Sequence, residues 1–246
     1  MQGIIAGRKP VMEALRAGTG IEKIVFLLGV QGTVIEEIRK TAERSKVPVS
    51  QANRQQFREL ASDATTQGVV AILHQGKTFV GVEEIIAAAG ARGEKPLVLM
   101  LDSIEDPQNL GALVRSAECA GVHGVVLPKH HAASVTSAVV KASAGATEHM
   151  LMAEVTNLVN TLGELKEQGF WTVGVAVEGK TLFTAFDYTT PVAIVVGNEG
   201  KGIRRLVREH CDTLVTIPMY GRLGSLNASV AGALVMFEAA RQRHAS

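Results

Sequence analysis

An α/β protein in two parts, the larger built on a parallel sheet, follows from three observations in this 246-residue chain. Apolar runs of strand length alternate with amphipathic helical stretches almost from end to end. From Leu97 onward these runs are nearly continuous in Val, Ile and Leu, as strands covered on both faces require. Between residues 78 and 95 the alternation lapses into a short helix, Gly90, Gly93 and a charged pair before Pro96. The expected layout is therefore a small α/β sandwich at 1–77, a linker at 78–95 and a larger α/β domain at 96–246.

In the first part, Pro10 to Ala17 has helical spacing, with Val11, Ala14 and Leu15 on one face. Ile24 to Leu28 reads as a buried strand ended by Gly29. Val34 to Arg44 is an amphipathic helix with Ile35, Ile38 and Ala42 inward. Val47-Pro48-Val49 opens another strand, Arg54 to Ala61 another helix, and Val69 to Leu73 a β-branched strand. In the second part, strands are expected at 97–101, 124–127, near 150–152, and at 172–176, 192–196 and 213–217. Helices are expected near 110–120, 135–143, 157–168 and 202–209. A last helix runs from Ser225 or Asn227 to Arg243, with an apolar stripe of Val230, Ala231, Leu234, Val235 and Phe237.

Composition excludes more than it identifies. No run approaches the ~20 uncharged apolar residues of a membrane span, and Arg8 comes too early for a signal peptide. Cys119 and Cys211 have neither metal-ligand nor redox spacing, so a reduced, cytoplasmic protein without metal is expected. Residues 1–77 carry 11 Lys+Arg against 7 Asp+Glu, a net +4, whereas the remainder is −3. This mild asymmetry fits RNA phosphate contacts in the first part.

Three segments leave a strand for a loop crowded with Gly, Asn and charge, at the sheet end where ligands bind in open parallel folds. The first runs from Asp102 to Arg115. There Asn109 can cap the following helix, Gly111 permits close approach, and Arg115 can hold a phosphate bidentately. The second, Val196-Gly197-Asn198-Glu199-Gly200-Lys201-Gly202, has glycines spaced like a cradle for polar ligand atoms. Its G-x-x-G-x-G order is not the dinucleotide fingerprint G-x-G-x-x-G, and it follows a late strand. A structural turn would explain the glycines but not Glu199. The third, Ile217 to Ser229, sets Met219 and Leu226 beside Ser225, Asn227 and Ser229 at a helix start. Three potential caps in five positions exceed what one helix needs.

In this order, each after a strand, the three loops resemble the motifs of the SpoU (TrmH-type) RNA 2′-O-ribose methyltransferases of the SPOUT superfamily. The likeness covers about the last 150 residues. The first part resembles the substrate-binding domain of the subgroup that methylates a guanosine of 23S rRNA, on Gly7-Arg8-Lys9-Pro10, Ala52-Asn53-Arg54 and Gln67-Gly68-Val69. Thr66 stands where relatives often carry His.

The resemblance implies a deep trefoil knot in the C-terminal domain and a homodimer joined partly by the last helix. S-adenosyl-L-methionine would lie bent near Val196, Gly197, Ile217, Met219 and Leu226. Arg115, Asn109, Glu199, Ser225 and Asn227 would form the catalytic set, and Arg8, Lys9 and Arg54 would meet RNA. Arg115 would bind the target phosphate and stabilise the developing alkoxide, Asn109 would orient Arg115 or the ribose, and Glu199 would anchor Arg115 or the nucleotide. An rRNA target is favoured over tRNA. Two other readings stand beside this one: a nicotinamide-dependent oxidoreductase, which lacks its first-loop fingerprint, and a non-catalytic RNA-binding protein. His130-His131 reads as a solvated turn, Trp171 as core and Cys119 as a small packed residue.

Overall fold

The computed structural model describes residues 4–17, 20–61, 66–73 and 79–244, which fall into two compact units, Met1–Gly76 and Lys77–Ser246. The expected junction at residues 77–78 lies outside the described residues.

In the first unit, four strands pair in the order β1-β4-β2-β3: β1 Ile4–Ala6, β4 Val69–Leu73, β2 Ile21–Leu27 and β3 Val49–Ala52. Only β2 and β3 run parallel. Helices α1 (Arg8–Arg16) and α2 (Thr33–Arg44) bury Val11, Leu15, Ile35, Ile38 and Ala42 with Phe26 on one face. Helix α3 (Arg54–Leu60) buries Phe57 on the other. Asn53 caps α3 by accepting from the Gln55 and Gln56 amides at 3.0 Å, and Gln56 closes a capping box. Helix α1 begins two residues earlier than its apolar spacing suggests, with Arg8 and Lys9 in its first turn.

The second unit is a seven-stranded, wholly parallel sheet, β7-β6-β5-β10-β8-β11-β9. The strands are β5 Leu97–Asp102, β6 Gly124–Pro128, β7 Leu151–Val155, β8 Trp171–Val175, β9 Thr181–Leu182, β10 Val192–Gly197 and β11 Thr213–Thr216. Alternate side chains serve two cores: Leu97, Leu99, Leu101, Ile194 and Val196 face one, and Val98, Met100, Ala193 and Val195 the other. This two-sided burial explains the continuous apolar runs. Helices α5 (Pro107–Cys119), α6 (Ser137–Ala142), α7 (Ala146–His149) and α10 (Ala228–His244) supply the first layer. Helices α4 (Val82–Ala91), α8 (Leu158–Glu167) and α9 (Arg205–Glu209) supply the second.

Several expectations need correction. The stretch read as linker is packed structure: Val80 bridges Ala153 at the β7 edge, and α4 buries Ile85 and Ala89 completely. Trp171 is not core but 51% exposed: it is the first residue of β8, and the next three residues are the buried ones. Cys119 is exposed at the end of α5, whereas burial pushes the Cys211 thiol up to about 12. The short strands β1 and β9 and helix α7 are not among the expected elements. No helix among the described residues is long and apolar enough to cross a membrane.

Gly111 explains how α5 is seated. A Cβ there would lie 2.4 Å from the Ala142 side chain and 2.9 Å from the Ser143 backbone nitrogen, so what approaches it closely is the end of α6. Gly111→Ala should lower stability by roughly 1–3 kcal/mol in denaturant unfolding, through overpacking against backbone. His123 supplies a second test. Its Nδ1 accepts from the Leu97 amide at 3.0 Å and its Nε2 donates to Glu94 at 2.8 Å, so the ring is held neutral. Burial holds its pKa below 6.5 despite Glu94. The folded state therefore resists protonation; this contribution is full above pH 6.5 and is lost as pH falls through the lowered value. His123→Gln should flatten the fall in unfolding free energy below pH 6.5, relative to the unchanged chain.

Candidate active site

The site begins with strand register. Strands β5 and β10 pair from Leu97↔Val192 to Asp102↔Gly197, so the first two loops leave the sheet side by side. This is also where strand order reverses, from β5-β6-β7 on one side to β10-β8-β11 on the other. Asp102, fully buried, ties them together. Its carboxylate accepts from the Arg204 backbone amide at 2.7 Å and from the Arg204 Nε at 2.6 Å. Asn198 Nδ2 donates to the Ser103 carbonyl at 3.2 Å, adding a second tie.

In the first loop the cap is Asp106, not Asn109. Asp106 accepts from the Gln108 and Asn109 amides at 3.2 and 3.3 Å, with Pro107 opening the helix. The Asn109 side chain is thereby free to point inward, and only 9% of the residue is exposed. Its Nδ2 donates to Glu199 Oε1, and its Oδ1 accepts from Asn227 Nδ2 at 2.9 Å. One buried amide thus joins all three loops. Asn227 in turn accepts from the Ser229 amide and hydroxyl at 2.9 and 2.6 Å, which anchors it at the start of α10.

The glycine loop satisfies itself. Asn198 Oδ1 accepts from the Gly200 and Lys201 amides, and Asn198 and Gly202 exchange both backbone bonds. A Cβ on Gly197 would lie 2.2 Å from the Gly202 carbonyl carbon, so this glycine admits the returning chain. The amides expected to cradle a ligand are consumed in the turn. Above it lies a cavity of about 300 Å³. Val196, Gly197, Ile217, Met219 and Leu226 all line it, with Glu199 and Ser225 among its polar groups.

Arg115 stands apart. It is exposed on α5 and makes no hydrogen bond or ion pair among the described residues. Neighbouring Ala112 and Ser116 line an open apolar groove with Val230, Ala233, Leu234 and Phe237 of α10. The expected single stripe on α10 is two faces: Val235 is buried and Ala231 lines the cavity, while Val230, Leu234 and Phe237 are 47, 41 and 49% exposed. Asp102, Asn198 and Arg204 were not singled out from sequence; partners up to 102 residues apart leave no local spacing signal. Among the described residues, no group of three His, Cys, Asp or Glu could hold a metal ion, and His130 and His131 are exposed.

In the first unit, Arg8 Nε donates to the Gln67 carbonyl at 3.1 Å and its amide donates to Gln67 Oε1. Arg8, Leu27, Val30, Gln67 and Gly68 line a shallow cleft. Lys9 and Arg54 are exposed. Thr66 accepts from Val69 within the preceding turn. Phe26 and Phe57 are buried, and Arg39 lies 4.1 Å over the Phe26 ring, so neither can stack on a base.

Residues 96–237 match the family described as SpoU rRNA Methylase, and residues 4–79 match that described as RNA 2′-O ribose methyltransferase substrate binding. A Staphylococcus saprophyticus protein assigned to the TrmH family of tRNA/rRNA methyltransferases is 40% identical over 241 residues, 98% of this chain and 96% of its own. The fold is similar to that of the SpoU methyltransferase AviRb of Streptomyces viridochromogenes in complex with AdoMet. That match has a TM-score of 0.66 at 24% identity, covering 100% of this chain and 92% of that one. A structure titled RNA 2′-O ribose methyltransferase aligns at TM-score 0.60 and 25% identity, over 98% of this chain and 89% of that one.

The buried amide generates a test. Asn109→Asp replaces the donor facing Glu199 with a carboxylate oxygen at nearly constant shape. At pH 7 it should cost roughly 1–3 kcal/mol of stability by denaturant unfolding. The proton-sharing pair has a raised folded pKa, so the deficit should shrink as pH falls toward about 4. An equal deficit at both pH values would exclude carboxylate repulsion as its cause.

Proposed function

The chain belongs to the SpoU rRNA methylase family, and from that membership we propose that it transfers a methyl group from S-adenosylmethionine to a ribose 2′-hydroxyl of RNA. The observation that carries the reading is the Asn109 amide, which holds Glu199 and Asn227 together next to the cavity. The cavity suits the cofactor: Val196, Ile217, Met219 and Leu226 give it apolar walls for a purine, and the Glu199 carboxylate offers negative charge toward a sulfonium nucleoside. When bound, the cofactor supplies an electrophilic methyl group.

The protein's part is positioning and charge. Asn109 sets Glu199 and Asn227, and Ser225 stands beside Leu226 at the cavity wall. Arg115 is the residue for the RNA side. Its unpaired guanidinium binds the target phosphate and stabilises the alkoxide that forms as the 2′-hydroxyl loses its proton. Among the described residues nothing brings Arg115 to Glu199. The apolar groove beside it is the surface on which a second copy would dock, making the enzyme a homodimer with its site near the interface. The trefoil knot belongs to the same reading, since the third loop passes from β11, beyond β8 and β10 in the sheet, back to Asn109 beside β5.

Residues 1–77 are read as the RNA-binding domain, with Arg8, Lys9 and Arg54 as phosphate contacts and recognition by shape and backbone rather than stacking. The description of the matching family for residues 4–79 supports this, and supports the ribose 2′-oxygen as methyl acceptor. We favour a guanosine of 23S rRNA over tRNA as the target, methylated in the cytoplasm.

Arg115→Ala should lower methyl transfer by about 10²-fold or more, while cofactor binding stays within twofold by calorimetry. The product should be a ribose that resists alkaline cleavage at one position, mapped in 23S rRNA and tRNA with and without the enzyme. Turnover near normal in the variant would remove Arg115 from the mechanism.

A further inference from the structure

The cavity has a second charged group that the reaction above does not use. Glu178 and Arg208 both line it and form an ion pair. They stand on the β8 side of the glycine loop, whereas the Asn109–Glu199 contact stands on the β5 side. Glu178 follows β8, and Arg208 sits on α9, which buries Val207 in the second core.

The Glu178 backbone is held in place. The Ala176 amide donates to the Val215 carbonyl at 3.0 Å, and the Thr216 hydroxyl donates to the Val177 carbonyl at 3.1 Å. The following Gly179 lies so close to β11 that a Cβ on it would stand 2.6 Å from the Val215 carbonyl carbon. This turn is wedged against the neighbouring strand, so the carboxylate is presented from a fixed base.

We propose that Glu178, steadied by Arg208, accepts hydrogen bonds from the ribose hydroxyls of the adenosyl cofactor and so acts as its ribose hook. The assignment rests on reading the cavity as the cofactor's. A carboxylate offers about four lone-pair positions, of which the Arg208 guanidinium and its own backbone amide take two. Charge explains the choice of hydroxyls. The ion pair is close to neutral, so it gains little from a further cation such as the methionyl ammonium, but it keeps acceptor capacity for neutral donors. The carboxylate stays ionised, because hydrogen bonding to its own backbone and to Arg208 holds its pKa below the usual range. Topology agrees with this. In dinucleotide folds the ribose acid stands at the tip of the strand next to the one that carries the glycine loop. Here β8 neighbours β10 in that same way, although its acid precedes the glycine loop in the chain.

The test is calorimetry on the full chain with S-adenosylhomocysteine, its 2′-deoxy and 3′-deoxy forms, and methylthioadenosine, which lacks the amino-acid tail. Removing a ribose hydroxyl should weaken binding to the unchanged chain about tenfold. Glu178→Gln should weaken S-adenosylhomocysteine and methylthioadenosine by similar factors, and should respond little to loss of a hydroxyl. The assignment is overturned if the variant binds S-adenosylhomocysteine as the unchanged chain does, or keeps full discrimination against the deoxy forms. A loss confined to S-adenosylhomocysteine, with methylthioadenosine unaffected, would move Glu178 to the tail and overturn it too. Equal binding of the deoxy forms by the unchanged chain would overturn it as well, and that comparison needs no mutation. If S-adenosylhomocysteine fails to bind the unchanged chain at all, it is the cofactor reading that falls, and this assignment with it.

Discussion

The site hangs on the parallel pairing of β5 with β10. That register sets Asp102 level with Gly197, so two loops from distant parts of the chain begin at one point on the sheet edge. A shift of one residue would turn Leu97, Leu99 and Leu101 from one core to the other, so burial on both faces enforces the alignment. Asp102 converts alignment into rigidity. A fully buried carboxylate must be paired, and Arg204 meets it with a backbone and a side-chain donor. The glycine loop is thereby held at both ends.

Once that loop is held, its glycines acquire a different meaning from the one their spacing suggests. Gly197 is small because Gly202 and Ile203 pass directly over it, and the loop amides bond to Asn198 rather than outward. The ligand surface is left to strand-end side chains and to the third loop. In the proposed reading, polar specificity rests on a few groups around an apolar cavity: Glu199 with Asn109 on one side and Glu178 with Arg208 on the other. Each carboxylate has a neighbour that sets its direction. Such second partners matter because a freely rotating carboxylate would lose side-chain entropy on meeting a ligand.

Arg115 and the exposed face of α10 form the incomplete half of the picture. Three large apolar residues, each at least 41% exposed, line an open groove beside the one arginine that the family reading requires at the chemistry. This is the face that the proposed second copy would cover. The same helix buries Val235, Met236 and Ala239 beneath it, so it supports the catalytic domain and the proposed interface at once.

Sequence alone determined most of the elements and the motifs. Apolar runs located β5, β6, β8, β10 and β11 to within a residue or two, because strands buried on both faces must be apolar throughout. The loop residues were legible because each exceeded what its local structure needed, Glu199 in a turn and several potential caps at α10. What the tertiary structure decided was every relation between distant residues. Asp106 took the cap, which released Asn109 to bridge Glu199 and Asn227. The short helix expected between 78 and 95 is packed rather than a free connector, because the β7 edge and the second core receive it. Trp171 stayed outside since it opens β8 at the end of the strand, ahead of the buried Thr172, Val173 and Gly174. Asp102–Arg204 and Glu178–Arg208 were invisible beforehand, because pairing across 102 and 30 residues is set by strand order and not by spacing. Local chemistry depends on neighbours in the chain, and sequence records those; a binding site depends on neighbours in space, which only the sheet order supplied.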